Sequence, residues 1–135
     1  MASVLVSTQG VLIDSDVLIW LMRGNATALA AVSLETDWYL SAVSYMELVQ
    51  GCRNKAELKA IQKAFKSSAS DVLPITQSIS EAACRLVEQY SLSHSVHLAD
   101  ALIAATAMAQ KLPLLSGNTK HFSAIDGLGL RTFKP

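Results

Sequence analysis

Three acids and an amide occupy positions where this chain could do chemistry. Asp14 closes the apolar run Val11-Leu12-Ile13, which puts a carboxylate at the edge of a buried layer. Its plainest reading is a loop carboxylate accepting backbone N–H groups at a helix start. Glu47 lies in Ser44-Tyr45-Met46-Glu47-Leu48, and the Ser-x-x-Glu spacing is also that of a helix capping box, which needs no chemistry. Asp100 sits in Leu98-Ala99-Asp100-Ala101-Leu102-Ile103, a helix start apolar on nearly every side. A carboxylate buried there needs a partner, and the helix N-terminus alone supplies only about 0.3–1 kcal/mol. Ser116 and Asn118 follow a further apolar run, Pro113-Leu114-Leu115.

Should these side chains meet, their charges set the chemistry. Two carboxylates about 4 Å apart repel by roughly 4 kcal/mol at an effective dielectric of about 20, so an ionised cluster calls for a cation. Oxygen ligands without a suitable His or Cys select a hard ion, Mg²⁺ or Mn²⁺. Such an ion can orient a water, lower its pKa and neutralise charge building up on a phosphate during in-line displacement.

The elements that must position them alternate along the chain. Strands are expected over Gly10 to Asp14, Trp38 to Ala42, Val72 to Ile75, Pro113 to Ser116 and Leu130 to Phe133. Helices are expected from a cap at Asp16 through Met22, from Asn25 to about Leu34, and from Ser44 to about Cys52. Others run from Asn54 to about Ser67, from Gln77 to Tyr90 and from Leu98 to Lys111. Strands alternating with helices predict an α/β fold, a mostly parallel sheet of four to five strands with helices on both faces. Sites in such sheets form at the carboxyl ends of strands, where Asp14, Ser116 and Asn118 fall.

Composition narrows the class. The chain has 135 residues, the size of one domain, and no internal repeat or linker divides it, so 1–135 reads as a single unit. Eleven basic residues balance eleven acidic ones, so no net field collects a polyanion and any such partner must be gripped locally. With 51% hydrophobic and only 16% charged residues, some apolar surface is expected to lie under a partner or a second copy. No run is long enough to span a bilayer, and Met1 to Gly10 has no signal-peptide pattern, which predicts a cytoplasmic protein. Cys52 and Cys84 have no second Cys nearby and are read as buried small hydrophobes, while His94, His97 and His121 lack metal-pair spacing and are read as packed or surface residues.

At Leu12-Ile13-Asp14-Ser15-Asp16-Val17-Leu18-Ile19, Ser44-Tyr45-Met46-Glu47-Leu48, Leu98 to Ala107 and Leu115-Ser116-Gly117-Asn118-Thr119-Lys120-His121-Phe122 the chain resembles the PIN-domain ribonucleases. In its short single-domain form it looks like a VapC-type toxin of a toxin-antitoxin pair. The resemblance implies a PIN-like three-layer fold and a metal-dependent endoribonuclease, with acids at Asp14, Glu47 and Asp100 on the Mg²⁺ or Mn²⁺. It also implies an antitoxin partner and a homodimer. Two positions depart from the family pattern. Asp16 replaces the usual Asn and is read as a helix cap, and Asn118 stands where many members carry a fourth acid. The amide can then act on the metal through water or orient a phosphate.

Lys55, Lys59, Lys63 and Lys66 recur at helical spacing and form a solvated face or a rail for RNA backbone. The interleaved Leu58, Ile61, Ala64 and Phe65 form an apolar side that the resemblance assigns to the antitoxin or a second copy. Two rivals remain. Asp14-Ser15-Asp16-Val17-Leu18 also fits the D-x-D start of haloacid-dehalogenase-type phosphatases, although the late strand lacks the acidic pair that chemistry needs. A degenerate PIN fold kept for binding is the other, and the survival of three acids argues against it.

Overall fold

The computed structural model describes residues 10–35, 37–67 and 71–135, apart from the side chain of Ser67. The expectation about a leader falls mainly on residues 1–9, outside that range. Five short strands, β1 (Val11–Ile13), β2 (Trp38–Ser41), β3 (Asp71–Leu73), β4 (Leu114–Ser116) and β5 (Leu130–Thr132), form one sheet. Their order is β3-β2-β1-β4-β5, and every pairing is parallel. The described helices are α1 (Ser15–Met22), α2 (Ala26–Ser33), α3 (Ala42–Gln50), α4 (Lys55–Ser67), α5 (Gln77–His94), α6 (Leu98–Ala109) and the single turn α7 (Thr119–Phe122).

The two-residue alternation of the central strands builds the layers. Leu12 and Leu114 pack with Ile79, Leu86, Ala101 and Phe122 of α5, α6 and α7 on one face. Val11, Ile13 and Leu115 pack with Val17, Ala28, Leu48 and Ile61 of α1 to α4 on the other. Both faces of β1 and β4 are thus buried, as a parallel sheet requires, which is why these segments read as unbroken apolar runs. The edge strands β3 and β5 are largely exposed.

Asn25 and Asn54 cap α2 and α4 as expected, accepting from the backbone N–H of Ala28 and of Glu57, each at 2.9 Å. Two other caps are corrected. Helix α1 begins at Ser15 with Asp14 as its N-cap, so Asp16 already lies in the first turn. Helix α3 begins directly after β2, and the cap is Ser41, whose hydroxyl accepts from Val43 N–H at 3.1 Å. Ser44 and Glu47 therefore form no capping box, and the fully buried Ser44 hydroxyl has no hydrogen-bond partner among the described residues. Strand β3 stops at Leu73 because Pro74 has no N–H to give. Helix α5 runs on to His94, where Ser95 turns left-handed at φ 56°. Its Cys84 is exposed and not buried as expected, because it lines an open groove between α5 and α6. Helix α6 ends at Ala109, short of Lys111, which is itself at φ 56°. No described helix is long and apolar enough to cross a membrane.

Candidate active site

Strand order reverses direction at β1, with β2 on one side and β4 on the other, and the crevice above such a switch point is where ligands bind in open parallel sheets. Register places Ile13 beside Leu115, so the next residues, Asp14 and Ser116, leave the sheet together. The Ser116 hydroxyl donates to Asp14 Oδ2 at 2.8 Å, and Ser15 N–H donates to Asp14 Oδ1 at 2.8 Å. Asp14 is 6% exposed. Burial, and then the charges of Asp16 and Glu47, push its carboxyl up to about 7 against the lowering effect of those two bonds.

Glu47 projects from α3 on the solvent side of the crevice, and its Oε1 accepts from the Ser15 hydroxyl at 3.1 Å. Ser15 thus bridges the two acids, its N–H on Asp14 and its hydroxyl on Glu47. Asp100 stands at the start of α6, where Oδ2 accepts from His97 N–H at 3.1 Å and lies 3.0 Å from His121 Nδ1. Its side chain is 15% exposed, so it is less buried than the apolar sequence around it suggested. Asn118 connects the halves. Its N–H donates to Ser116 Oγ at 2.9 Å, and its side-chain nitrogen is 3.3 Å from His121 Nδ1. A continuous polar chain, Asp14, Ser116, Asn118, His121, Asp100, therefore runs along the crevice.

Asp16 is committed elsewhere. Its Oδ1 accepts from Val17 N–H at 2.8 Å and its Oδ2 from Gly117 N–H at 2.9 Å, and burial pushes its carboxyl up. The fit at Gly117 is tight, because a Cβ there would lie 2.8 Å from Asp16 Oδ2 and 3.2 Å from the Phe133 carbonyl. Asp16 thus clamps the turn after β4. With both its oxygens on backbone N–H groups, it is not placed as the free acid/base that the phosphatase reading requires.

Among the described residues, no three His, Cys, Asp or Glu side chains converge into a closed ligand set. The acids stand apart, joined by hydroxyls, an amide and a ring. The donor chemistry nonetheless fits a hard cation. The groups are carboxylate oxygens, and Asp14 is burdened by two like charges that a cation would offset. A groove of about 760 Å³ opens beside Glu47, walled by Ile19 and Met22 of α1, Leu48 of α3, and Ala60, Ile61 and Ala64 of α4. Phe65 does not belong to this wall, because it packs inward in edge-to-face contact with Trp38 and Tyr45.

The family described as the PIN domain matches residues 11–128. The chain belongs to the PIN-domain family. Ribonuclease VapC10 of Mycobacterium tuberculosis is 36% identical over 122 residues, which span 87% of this chain and 90% of that protein. A toxin-antitoxin complex from Klebsiella pneumoniae contains a similar chain at 28% identity and TM-score 0.77, with 90% of this chain and 96% of that one covered. FitAcB from Neisseria gonorrhoeae is similar at 25% identity and TM-score 0.71, with 89% and 95% covered. Membership confirms the α/β three-layer architecture and removes the phosphatase rival. Two residues of this PIN domain escaped sequence reasoning. His121 stands three residues after Asn118, a spacing that becomes informative only once α7 is known to be helical. Ser15 carried no signal beyond its place next to Asp14.

Proposed function

We propose that this PIN domain, spanning 1–135 as one unit, is a metal-dependent endoribonuclease that acts as the toxin of a toxin-antitoxin pair in the cytoplasm. The observation that carries the reading is Asp14. It is a buried carboxyl at the switch point, pushed up to about 7 and flanked by Asp16 and Glu47, within a chain 36% identical to a ribonuclease. Asp14, Glu47 and Asp100 would hold the ion, Mg²⁺ or Mn²⁺. When bound, it supplies charge neutralisation for the phosphate and a more acidic water.

The chain's own groups do the rest. Ser15 and Ser116 fix the Asp14 oxygens, and Ser15 also ties Glu47 Oε1. Glu47 Oε2 is then the exposed carboxylate oxygen able to take a proton from the attacking water. Water oxygen forms the new bond to phosphorus, the opposite P–O bond breaks, and the departing oxygen is protonated from solvent. Asp100 is oriented by His97 N–H and His121, both of which engage Oδ2, so Oδ1 is the oxygen that would serve the ion.

The apolar groove beside Glu47 is the surface an antitoxin segment would cover, since Met22 is 54% exposed at its rim. The open groove lined by Ala83 and Val87 of α5 and by Leu98 and Leu102 of α6 offers a second apolar surface, suited to a homodimer. The deciding experiment is RNA cleavage by the purified chain with Mg²⁺ or Mn²⁺, with EDTA, and after co-expression with a protein encoded next to it. Cleavage should require the divalent ion and be suppressed by the partner. Activity undiminished in EDTA would sink the metal-dependent reading.

A further inference from the structure

The amide of Asn118 can serve a cation through its oxygen or an anion through its nitrogen, and the ring of His121 decides which. His121 Nδ1 lies 3.0 Å from Asp100 Oδ2 and 3.3 Å from the Asn118 side-chain nitrogen. A carboxylate has no proton to give, so the proton in the first contact belongs to Nδ1. A protonated Nδ1 cannot accept from an amide N–H, nor can an amide nitrogen accept from it. Half a turn of the amide about Cβ–Cγ, which exchanges two nearly isosteric ends, resolves the conflict. The Asn118 oxygen then shares the single Nδ1–H with Asp100 Oδ2 as the second acceptor of a bifurcated bond, and its NH₂ takes the opposite side. This assignment holds whether or not Nε2 also carries a proton.

The surroundings leave little freedom for another arrangement. The backbone N–H of Asn118 is fixed on Ser116 Oγ, which is itself bound to Asp14. Phe122, 1% exposed, anchors α7 in the core, and the His97 ring lies against the His121 ring with centroids 5.7 Å apart. We propose that His121 is a positioning residue whose Nδ1–H holds the Asn118 oxygen, so that the Asn118 NH₂ is presented to a non-bridging phosphate oxygen of the RNA. Asn118 is then a donor to the substrate anion and no ligand of the cation. The inference rests on the nuclease reading, in which Asp14, Glu47 and Asp100 hold the ion.

The test pairs calorimetric Mn²⁺ affinity of the RNA-free protein with single-turnover cleavage at saturating RNA, folding being checked by circular dichroism. Asn118→Ala and Asn118→Asp should bind Mn²⁺ within about threefold of the parent, less than loss of even an outer-shell partner of a metal ligand costs. Both should cleave about a hundredfold more slowly, the cost of one missing donor to a developing anion. His121→Ala should slow cleavage at least as much, since it also frees Asp100, and adding Asn118→Ala to it should cost nothing more. His121→Asn, whose side-chain N–H stands where Nδ1–H stood, should restore most of the loss, and it keeps the test decisive if His121→Ala fails to fold. Asn118→Asp binding Mn²⁺ at least about tenfold more tightly with cleavage retained would show an oxygen ligand and overturn the inference alone. Cleavage by Asp14→Asn would overturn the nuclease reading and the inference together.

Discussion

Asp14 and Asp100 bring the same functional group to one crevice by different means. Asp14 is set by backbone, since the β1 to β4 register puts it beside Ser116 and the chain turns at once into α1. Asp100 has one backbone tether, the His97 N–H, and otherwise depends on the side chain of His121, which rides on a four-residue helix held by the buried Phe122. The contrast shows where the site is stiff and where it can be tuned. A strand cannot slip by one residue without reversing which face every side chain occupies, whereas a single helical turn can shift by the loss of one ring.

The largest effect is expected at the stiff end. Asp14→Asn should reduce cleavage to background yet stabilise the ion-free protein. The sign follows from a carboxyl whose pKa rises on folding from an ordinary 3.8 to about 7. The folded state binds the proton more tightly, so stability is highest below the ordinary value and falls as pH rises toward about 7. The variant removes that penalty, worth up to ~4 kcal/mol above neutrality. Denaturant titrations in EDTA at acid and mildly alkaline pH will show it, and equal stability of parent and variant at high pH would refute the burial argument.

Next comes the tunable end. Phe122→Ala should cost about 3–5 kcal/mol of stability and reduce cleavage more than core loss elsewhere, because α7 carries His121. Comparison with Leu86→Ala, a core truncation on α5 away from the crevice, checks this. If both variants lose cleavage only in proportion to unfolding, the side-chain-held half is less delicate than the contrast implies. Ser116→Ala should act more gently on stability, by about 1 kcal/mol, because register still places Asp14. It should nevertheless lower cleavage about 10- to 100-fold through the freed carboxylate and amide. The smallest change is expected from Lys59→Ala on the exposed face of α4, with KM shifted about twofold or less at physiological salt, where screening is strong. A larger shift that vanishes at high salt would make the lysine stripe an RNA rail.

The central strands were legible because burial on both faces leaves an unbroken apolar run that stops abruptly at a charge, as at Val11-Leu12-Ile13-Asp14. Caps were less so. Ser41 and Ser44 compete for one helix start, as Asp14 and Asp16 do for another, and only the point where β1 and β2 end selects between them. The link between Asp100 and His121 could not be read at all, because it depends on how α6 and α7 pack. Thr119-Lys120-His121-Phe122 was legible only as part of the family resemblance, with no helix expected there.

The bond from Ser116 to Asp14 joins residues 102 positions apart. A ribosome adding about 5–20 residues per second needs roughly 5–20 s between them. For that interval the emerging chain carries its first acid without the strand that orients it, and a chain cut short before Ser116 never acquires the site. The growing chain therefore lacks an oriented Asp14 until Ser116 has been made, and any activity that depends on this acid is withheld for that interval.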